Sequence, residues 1–562
     1  MRGVSLGVAL VAVGLYLVGL GAAPFIDPPE GFHAAIAREM ALARDWITPR
    51  IDGVRYVEQP PLLHWLVSVS FGEAGVTPFA ARLWPALAAV GCATLTARLG
   101  IALGGPRLGL LAGLMVAANL GVFVYGRTAR PDLLFVFWVT LAWAGFVLAY
   151  LGGRRRGLFV FYAGLGLAML TRDFLDALGV VPVIAVFFWL TRERPVGPWI
   201  PWWGILVAAA IAVPWYLLME GRTPGFLRHM IVDNHLQVFT RPRLALEEEA
   251  PLGSFGFLGL TLLGFLPWAL VLPWGLARAF RQPREDARAR LWLLLGLWAA
   301  IVIGFSAVAP FRAPHHALVA FPALALLTAR VWDEAIEGAT RATPARVLLV
   351  PVLALFALVT LAFVAVSIGA RPVRVELPAG LDVAALARPG VAIFALATTA
   401  LAVAAWRRAT ALGVGVALAA TLAFLPAVAG DARTQLARAR SVRPLTEALV
   451  QRLAAGDLVM HEGPIEVSAT LLLAVTAPIH IVNGLQPNLA FGAGLPEARD
   501  VFWDSPRLER VWAGPGRAFL ISAVDPGRSV VRALPPASVH LIAASRERRL
   551  YSNLADRPPD VR

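Results

Sequence analysis

Long apolar runs separated by short polar breaks fill the first three quarters of the chain. The runs fall near 4–25, 83–104, 108–126, 131–151, 157–172, 174–191, 200–219, 255–278, 291–309, 315–331, 345–369, 387–405 and 411–429. Most approach the roughly 20 residues a helix needs to cross a bilayer. The pattern therefore predicts a polytopic α-helical membrane protein of about 13 transmembrane helices within residues 1–430. The first run ends in Gly21-Ala22-Ala23, the small-residue signature of a signal-peptide cleavage zone. Its length and the many spans behind it favour an uncleaved first helix. Two polar connections are long: 27–82 after the first run and 220–253 after the seventh.

After residue 430 the pattern changes. Residues 431–562 hold no run of membrane-spanning length. TEALVQRLAAG has helical periodicity, while DLVMHE, PIHIVNG, RAFLISAV and SVHLIAA read as short strands. Alternating helices and strands predict a small α/β domain outside the membrane.

Composition agrees with the span pattern. The chain is 58% hydrophobic with a mean hydropathy of +0.69, too apolar for a soluble protein. The lone Cys92 excludes an internal disulfide and a cysteine-based metal site. The formal charge of +14 would raise nucleic acid in a soluble chain. Here the basic residues lie largely in short loops, where positive charge sets orientation, so no nucleic-acid partner is expected. There is no lysine, which excludes Schiff-base and lysine general-base chemistry. With the N-terminus cytoplasmic, the breaks at 153–156, 191–194, 279–290, 330–345 and 406–408 face the cytoplasm, and every one bears arginine. An odd span count then places the C-terminal domain in the periplasm. No Walker A or G-x-G-x-x-G pattern marks a nucleotide site.

The chemistry-bearing residues fall in the opposite set of loops. Asp27-Pro28-Pro29-Glu30 opens the first of them, and the two prolines hold the acids on a short extended bend. Both acids also suit the cap of a following helix, in which Phe32, Ile36 and Met40 form a stripe suited to the membrane interface. Arg55 and Tyr56 lead to Glu58, which precedes a double proline one residue later and is held on a rigid turn. Asp132 starts the fourth span beside Arg127 and Arg130; it reads as a functional acid or as a dipole-compensating, ion-paired one. An ion-pair reading is stronger for Arg172 with Asp173 and Asp176. Asp233-Asn234-His235 offers a carboxylate and an imidazole for a divalent ion, with Arg241 following. Arg312, His315 and His316 precede the tenth span, where a guanidinium could clamp a phosphate. Acids, histidines and arginines from five loops on one face fit a cavity that handles a phosphate-bearing lipid.

The stretch AAIAREMALARDWITPRIDGVRYVEQPPLLHWLVSVSFGEAGVTPFAARLWPALAA, with RTARPDLLFVFW, PWYLL, DNHLQVF, PHHALVAFPALALL and VFWDSPRLERVWAGPGRAFLI, resembles the polyprenyl-phosphate-dependent glycosyltransferases of GT-C fold. The resemblance is closest to the bacterial aminoarabinose transferases of lipid A, relatives of the protein O-mannosyltransferases. It implies an inverting transfer of a sugar from undecaprenyl phosphate to lipid A or another envelope glycolipid, on the periplasmic face of the bacterial inner membrane. By this resemblance Asp27, Glu30 and Asp132 form the catalytic acids. Glu58 and His235 form a site for a divalent metal ion, and Arg55, Arg127, Arg241 and Arg312 serve the donor phosphate. Three positions depart from the family: Pro29 replaces an aspartate, Gln59 a lysine, and Val238 an arginine. Pro29 and Gln59 motivate one alternative, a GT-C-shaped lipid-binding scaffold that has lost catalysis; a protein O-glycosyltransferase is a further alternative. A transporter ranks below these, since its ionisable groups would lie deep in the spans. The sugar and the oligomeric state are not legible.

Overall fold

The computed structural model describes residues 2–236, 252–310, 312–338, 345–370 and 381–555. The chain forms two compact units. One comprises Met1–Leu20, Arg82–Leu217 and Val238–Leu436; the other comprises Gly21–Ala81, Leu218–Gln237 and Ala437–Arg562. The second unit thus gathers the first long loop, part of the second and the C-terminal region.

The first unit is helical. Among the described residues, eight helices are long and apolar enough to cross a membrane, or ten if two bent pairs each count as one span. Pro106–Ala117 and Leu120–Gly126 meet at 58°, where the Asn119 side chain accepts from the Val122 amide and starts the second helix. Ser254–Gly264 and Trp268–Arg281 meet at 104° around Pro267, which cannot donate into a continuing helix. Three features separate these counts from the thirteen apolar runs. Arg2–Leu17 has 16 residues and Phe321–Glu337 has 17, both short of a full crossing. Asp132–Thr171 carries two runs and is broken by Gly152 at φ +116°.

Glycine lets the two halves of that segment lie against each other. A Cβ on Gly157 would come within 2.3 Å of the Ala149 amide nitrogen, and one on Gly145 within 2.5 Å of that of Phe161. Small residues at such contacts replace a hydrophobic driving force that lipid does not supply. Buried aromatics fill the interior, with Trp143 stacked on Trp298 at 5.2 Å between centroids.

The second unit is built on a six-stranded sheet. A small hairpin, β1 (Arg50–Ile51) and β2 (Val54–Arg55), precedes it and turns through Asp52 and Gly53, both at positive φ. The sheet comprises β3 (Leu458–Glu462), β4 (Ile479–Val482), β5 (Phe502–Trp503), β6 (Ala518–Ser522), β7 (His540–Ser545) and β8 (Arg548–Ser552), in the order β5-β4-β3-β6-β8-β7. The first four strands of that order are parallel, and β8 runs antiparallel to both of its neighbours, β6 and β7. The four strand-like sequence runs correspond to β3, β4, β6 and β7. Central β3 is almost wholly buried: its apolar Leu458, Val459 and Met460 lead to a buried His461 and Glu462, the latter accepting from the hydroxyls of Ser522 and Ser529.

One expectation is overturned here. The Phe32, Ile36 and Met40 stripe of helix Pro29–Ala43 does not lie on a membrane interface. It is buried in a core shared with Tyr56, Leu445, Val459, Ile481, Phe519 and Leu550. An apolar stripe at this spacing suits a lipid interface and a sheet equally well, and the sheet supplies the partner.

Candidate functional site

In the second unit the first two acids of the first loop, Asp27 and Glu30, accept from neutral donors. The N-cap of helix Pro29–Ala43 is Pro28, whose side chain cannot cap. Glu30 fills the gap by folding back, so that its Oε2 accepts from the Ile26 amide at 3.0 Å. Asp27 does not cap at all. It is 1% exposed, and its carboxylate accepts from the Thr470 amide at 3.2 Å and from the Thr470 hydroxyl. Gly31 permits this approach, because a Cβ there would sit 2.0 Å from Asp27 Oδ1. Burial pushes the Asp27 carboxyl up to about 7, against the lowering pull of the Thr470 hydrogen bond and the Arg548 charge.

Glu58 lies in a chain of three groups. Its Oε1 is 2.9 Å from His229 Nε2, and His229 Nδ1 is 3.2 Å from Asp233. Burial lowers the His229 basicity, but the hydrogen bonds and charges of Glu58 and Asp233 outweigh it and hold the imidazole above its ordinary value. The ring also packs 4.7 Å from that of Phe491. Next to Glu58, Gln59 Oε1 is buried with no hydrogen-bond partner among the described residues. Arg55 Nε meets Glu497 at 2.5 Å, and its Nη1 donates to the Arg222 carbonyl at 2.6 Å and to Thr223 at 2.8 Å. A phosphate reaching Arg55 would compete with Glu497.

His235 lies in the helical turn His229–Leu236, but its side chain falls outside the described residues, as does all of Arg241. The metal pair of Glu58 and His235 is therefore not seen as a pair. Both ring nitrogens of His229 face carboxylates, and among the described residues no three His, Cys, Asp or Glu side chains converge to hold an ion. The described residues do not make up a metal site.

In the first unit Asp132 is held by cations. It is 3% exposed and begins helix Asp132–Leu148. Arg130 Nε donates to Oδ2 at 2.8 Å, and Arg172 Nη1 to Oδ1 at 3.3 Å; His315 Nε2 stands 3.4 Å from Oδ1. Arg172 also pairs with Asp176 at 3.1 Å, as its sequence context implies. Such a carboxylate is held as an anion and is a poor proton acceptor, since protonation would remove the charge that the half-buried Arg130 and Arg172 face.

The remaining two arginines close helix ends. Arg127 Nη1 donates to the carbonyls of Leu15, Tyr16 and Val18 at 2.9, 3.1 and 3.0 Å. Arg312 donates to Ala307 at 2.8 Å and Leu252 at 3.1 Å. The last carbonyls of a helix have no intrahelical partner, and a guanidinium satisfies several at once. Sequence reading missed Thr470 and His229. Nothing local marks Thr470, which is 443 residues from its partner. His229 and Asp233 sit at i,i+4 spacing, a signal that would have placed them on one helix face.

A family model described as dolichyl-phosphate-mannose-protein mannosyltransferase matches residues 27–229. The chain is 31% identical over 332 residues to the undecaprenyl phosphate-alpha-4-amino-4-deoxy-L-arabinose arabinosyl transferase of Edwardsiella ictaluri, covering 57% of this chain and 58% of that one. It is 31% identical over 361 residues to the same-named protein of Aeromonas salmonicida, covering 63% and 64%. The aligned part thus spans less than two thirds of these relatives. The crystal structure of ArnT from Cupriavidus metallidurans bound to undecaprenyl phosphate superposes with a TM-score of 0.82 at 24% identity, over 99% of both chains. The apo oligosaccharyltransferase of Archaeoglobus fulgidus gives 0.52 at 13% identity, over 93% of this chain and 69% of that one.

Proposed function

Since the chain is a GT-C-fold relative of the bacterial undecaprenyl-phosphate aminoarabinose transferases, we propose that it is an inverting glycosyltransferase. It moves a sugar from undecaprenyl phosphate to lipid A or another envelope glycolipid, on the periplasmic face of the bacterial inner membrane. The N-terminus is then cytoplasmic, the C-terminal sheet is periplasmic, and thirteen helices cross the bilayer. The observation that carries this reading is the 31% identity to two aminoarabinose transferases. The mannosyltransferase match over 27–229 supports it, because that segment contains Asp27, Glu58, Asp132 and His229.

In the reaction an acceptor oxygen attacks the anomeric carbon. The bond from that carbon to the donor phosphate breaks, and undecaprenyl phosphate leaves with the electron pair. A phosphate acceptor is already anionic, whereas a hydroxyl acceptor must lose a proton to a base. Of the three candidate acids, Asp27 has the proton affinity suited to a base near neutral pH, at about 7. Asp132 serves differently: it orients Arg130 and Arg172, whose positive charge favours a phosphate leaving group. Glu58 orients His229. No step is assigned to a metal ion, because the described residues do not assemble a ligand set.

The mannosyltransferase match keeps a protein hydroxyl as the second acceptor reading. The test is transfer in proteoliposomes, with a panel of undecaprenyl-phosphate sugars offered to lipid A, other envelope lipids and a Ser/Thr-rich protein. Transfer to lipid by wild type, lost in Asp132→Ala and Glu58→Ala, is the expected result. Transfer only to protein would establish the second reading. Absence of transfer from every donor would favour a scaffold that keeps the fold without the chemistry.

A further inference from the structure

A groove of about 730 Å³ lies in the first unit, between helices Arg154–Thr171 and Trp202–Arg222. That volume is in the range of roughly 300–1,000 Å³ usual for small-ligand sites. Its walls are Phe159, Val160, Trp203 and Val207, and its rim is Arg155 and Arg156. The two helices touch closely on either side of it. A Cβ on Gly204 would come within 2.4 Å of the Tyr162 ring, and one on Gly166 within 3.0 Å of the Ala208 carbonyl. The end of the groove is pinned by Tyr162, whose hydroxyl donates to the Trp199 carbonyl at 3.1 Å. Arg154 stacks over the Trp199 ring at 4.7 Å.

Charge and position say what covers this groove. Both of its helices belong to candidate membrane spans, so its apolar walls face lipid. Trp189, Trp202 and Trp203 flank the polar break at 192–201, and tryptophan concentrates where hydrocarbon meets water. Arg154 is occupied by Trp199, but Arg155 and Arg156 are exposed and have no carboxylate partner among the described residues. A basic rim over an apolar cleft between membrane helices matches an anionic headgroup above an acyl chain.

We propose that this groove binds an anionic phospholipid, with its phosphate on Arg155 and Arg156 and an acyl chain along Phe159, Val160, Trp203 and Val207. The site is separate from the acids and arginines assigned to sugar transfer. It holds whether or not that reaction is confirmed.

The test is native mass spectrometry of the full chain in detergent, with phosphatidylglycerol and phosphatidylcholine supplied in equal amounts. Wild type is expected to retain the anionic lipid in preference by about thirtyfold, the scale set by two arginines near a membrane surface. Arg155→Ala with Arg156→Ala should abolish the preference. Val207→Trp, which fills the cleft and leaves both charges, should lower phosphatidylglycerol occupancy. Arg407→Ala with Arg408→Ala, a basic pair elsewhere, should leave the preference intact. Equal retention of the two lipids by wild type would overturn the proposal. So would an equal loss in the Arg407 and Arg408 variant, which would make the effect one of net charge. Full occupancy in Val207→Trp, or displacement of the lipid by millimolar inorganic phosphate, would reduce the site to a surface anion contact and overturn it too.

Discussion

Asp27 and Asp132 are both buried aspartates near a proline, one in each unit, and their surroundings make them opposites. Asp27 meets an amide and a hydroxyl, both neutral, and burial pushes its carboxyl up to about 7. Asp132 meets two guanidinium groups and an imidazole. A neutral donor stabilises a carboxylate by hydrogen bonding alone, whereas a cation adds a charge that a dry site hardly screens. The first acid is therefore poised to exchange a proton near neutral pH, and the second is fixed as an anion. Chemistry at the two positions should fail in different ways.

The sharpest break is Asp132→Asn. It keeps the shape but takes the charge of Asp132 away from the half-buried Arg130 and Arg172, of which Arg172 keeps its pairing with Asp176. Removing one partner of a buried pair costs about 3–5 kcal/mol. Thermal unfolding in detergent should show a loss of that order, together with loss of sugar transfer. Adding Arg130→Ala should return part of the stability but none of the transfer. If the single variant keeps wild-type stability, the network is not what holds Asp132.

Asp27→Asn should do the reverse. Asparagine can still accept from Thr470, so folding survives, while a base with the proton affinity of Asp27 is gone. Loss of a general base lowers turnover by about 10²–10⁴. The pH dependence of stability carries the sign. The folded carboxyl binds its proton up to about pH 7, whereas the unfolded one, near the ordinary aspartate value of 3.8, releases it earlier. Wild type should thus lose stability relative to Asp27→Asn as pH rises from about 4 to 7, and no further above that. A parallel course for the two proteins across this range would place Asp27 in a normal carboxylate environment.

The difference between the two acids also measures what sequence alone can reveal. The spans were legible because a single segment can satisfy its own backbone in hydrocarbon only as a helix, and the thirteen apolar runs fall largely on helices. Arg130 could be paired with Asp132 because they are two residues apart. Thr470 could not be paired with Asp27, since nothing local records a contact across 443 residues. The arginines misled for a related reason. Arg127 and Arg312 have the composition of a phosphate clamp, but the carbonyls they bind are present in every helix and leave no mark in the side-chain sequence. The stripe of Phe32, Ile36 and Met40 shows the same limit: spacing gives an apolar face, not what covers it.

His229 lies between these two cases and gives the smallest effect. It is an imidazole that gains charge from two carboxylates, Glu58 and Asp233, without a guanidinium. His229→Gln keeps a donor toward Glu58 but removes the positive charge. A hydrogen bond to a charged group contributes about 1.5–3 kcal/mol, and the lower end applies where Asp233 is partly exposed. Because the folded imidazole is more basic than the unfolded one, its contribution is complete below pH 6.5 and fades as pH rises through the folded value. Melting curves of wild type and His229→Gln should therefore differ most at pH 6 and converge toward pH 9. That course has the same sign as the one expected for Asp27→Asn, because both groups bind their proton more tightly folded than unfolded, but it begins at higher pH. A gap that widens with pH would mean that His229 is held neutral, and Glu58 would then be facing an uncharged donor.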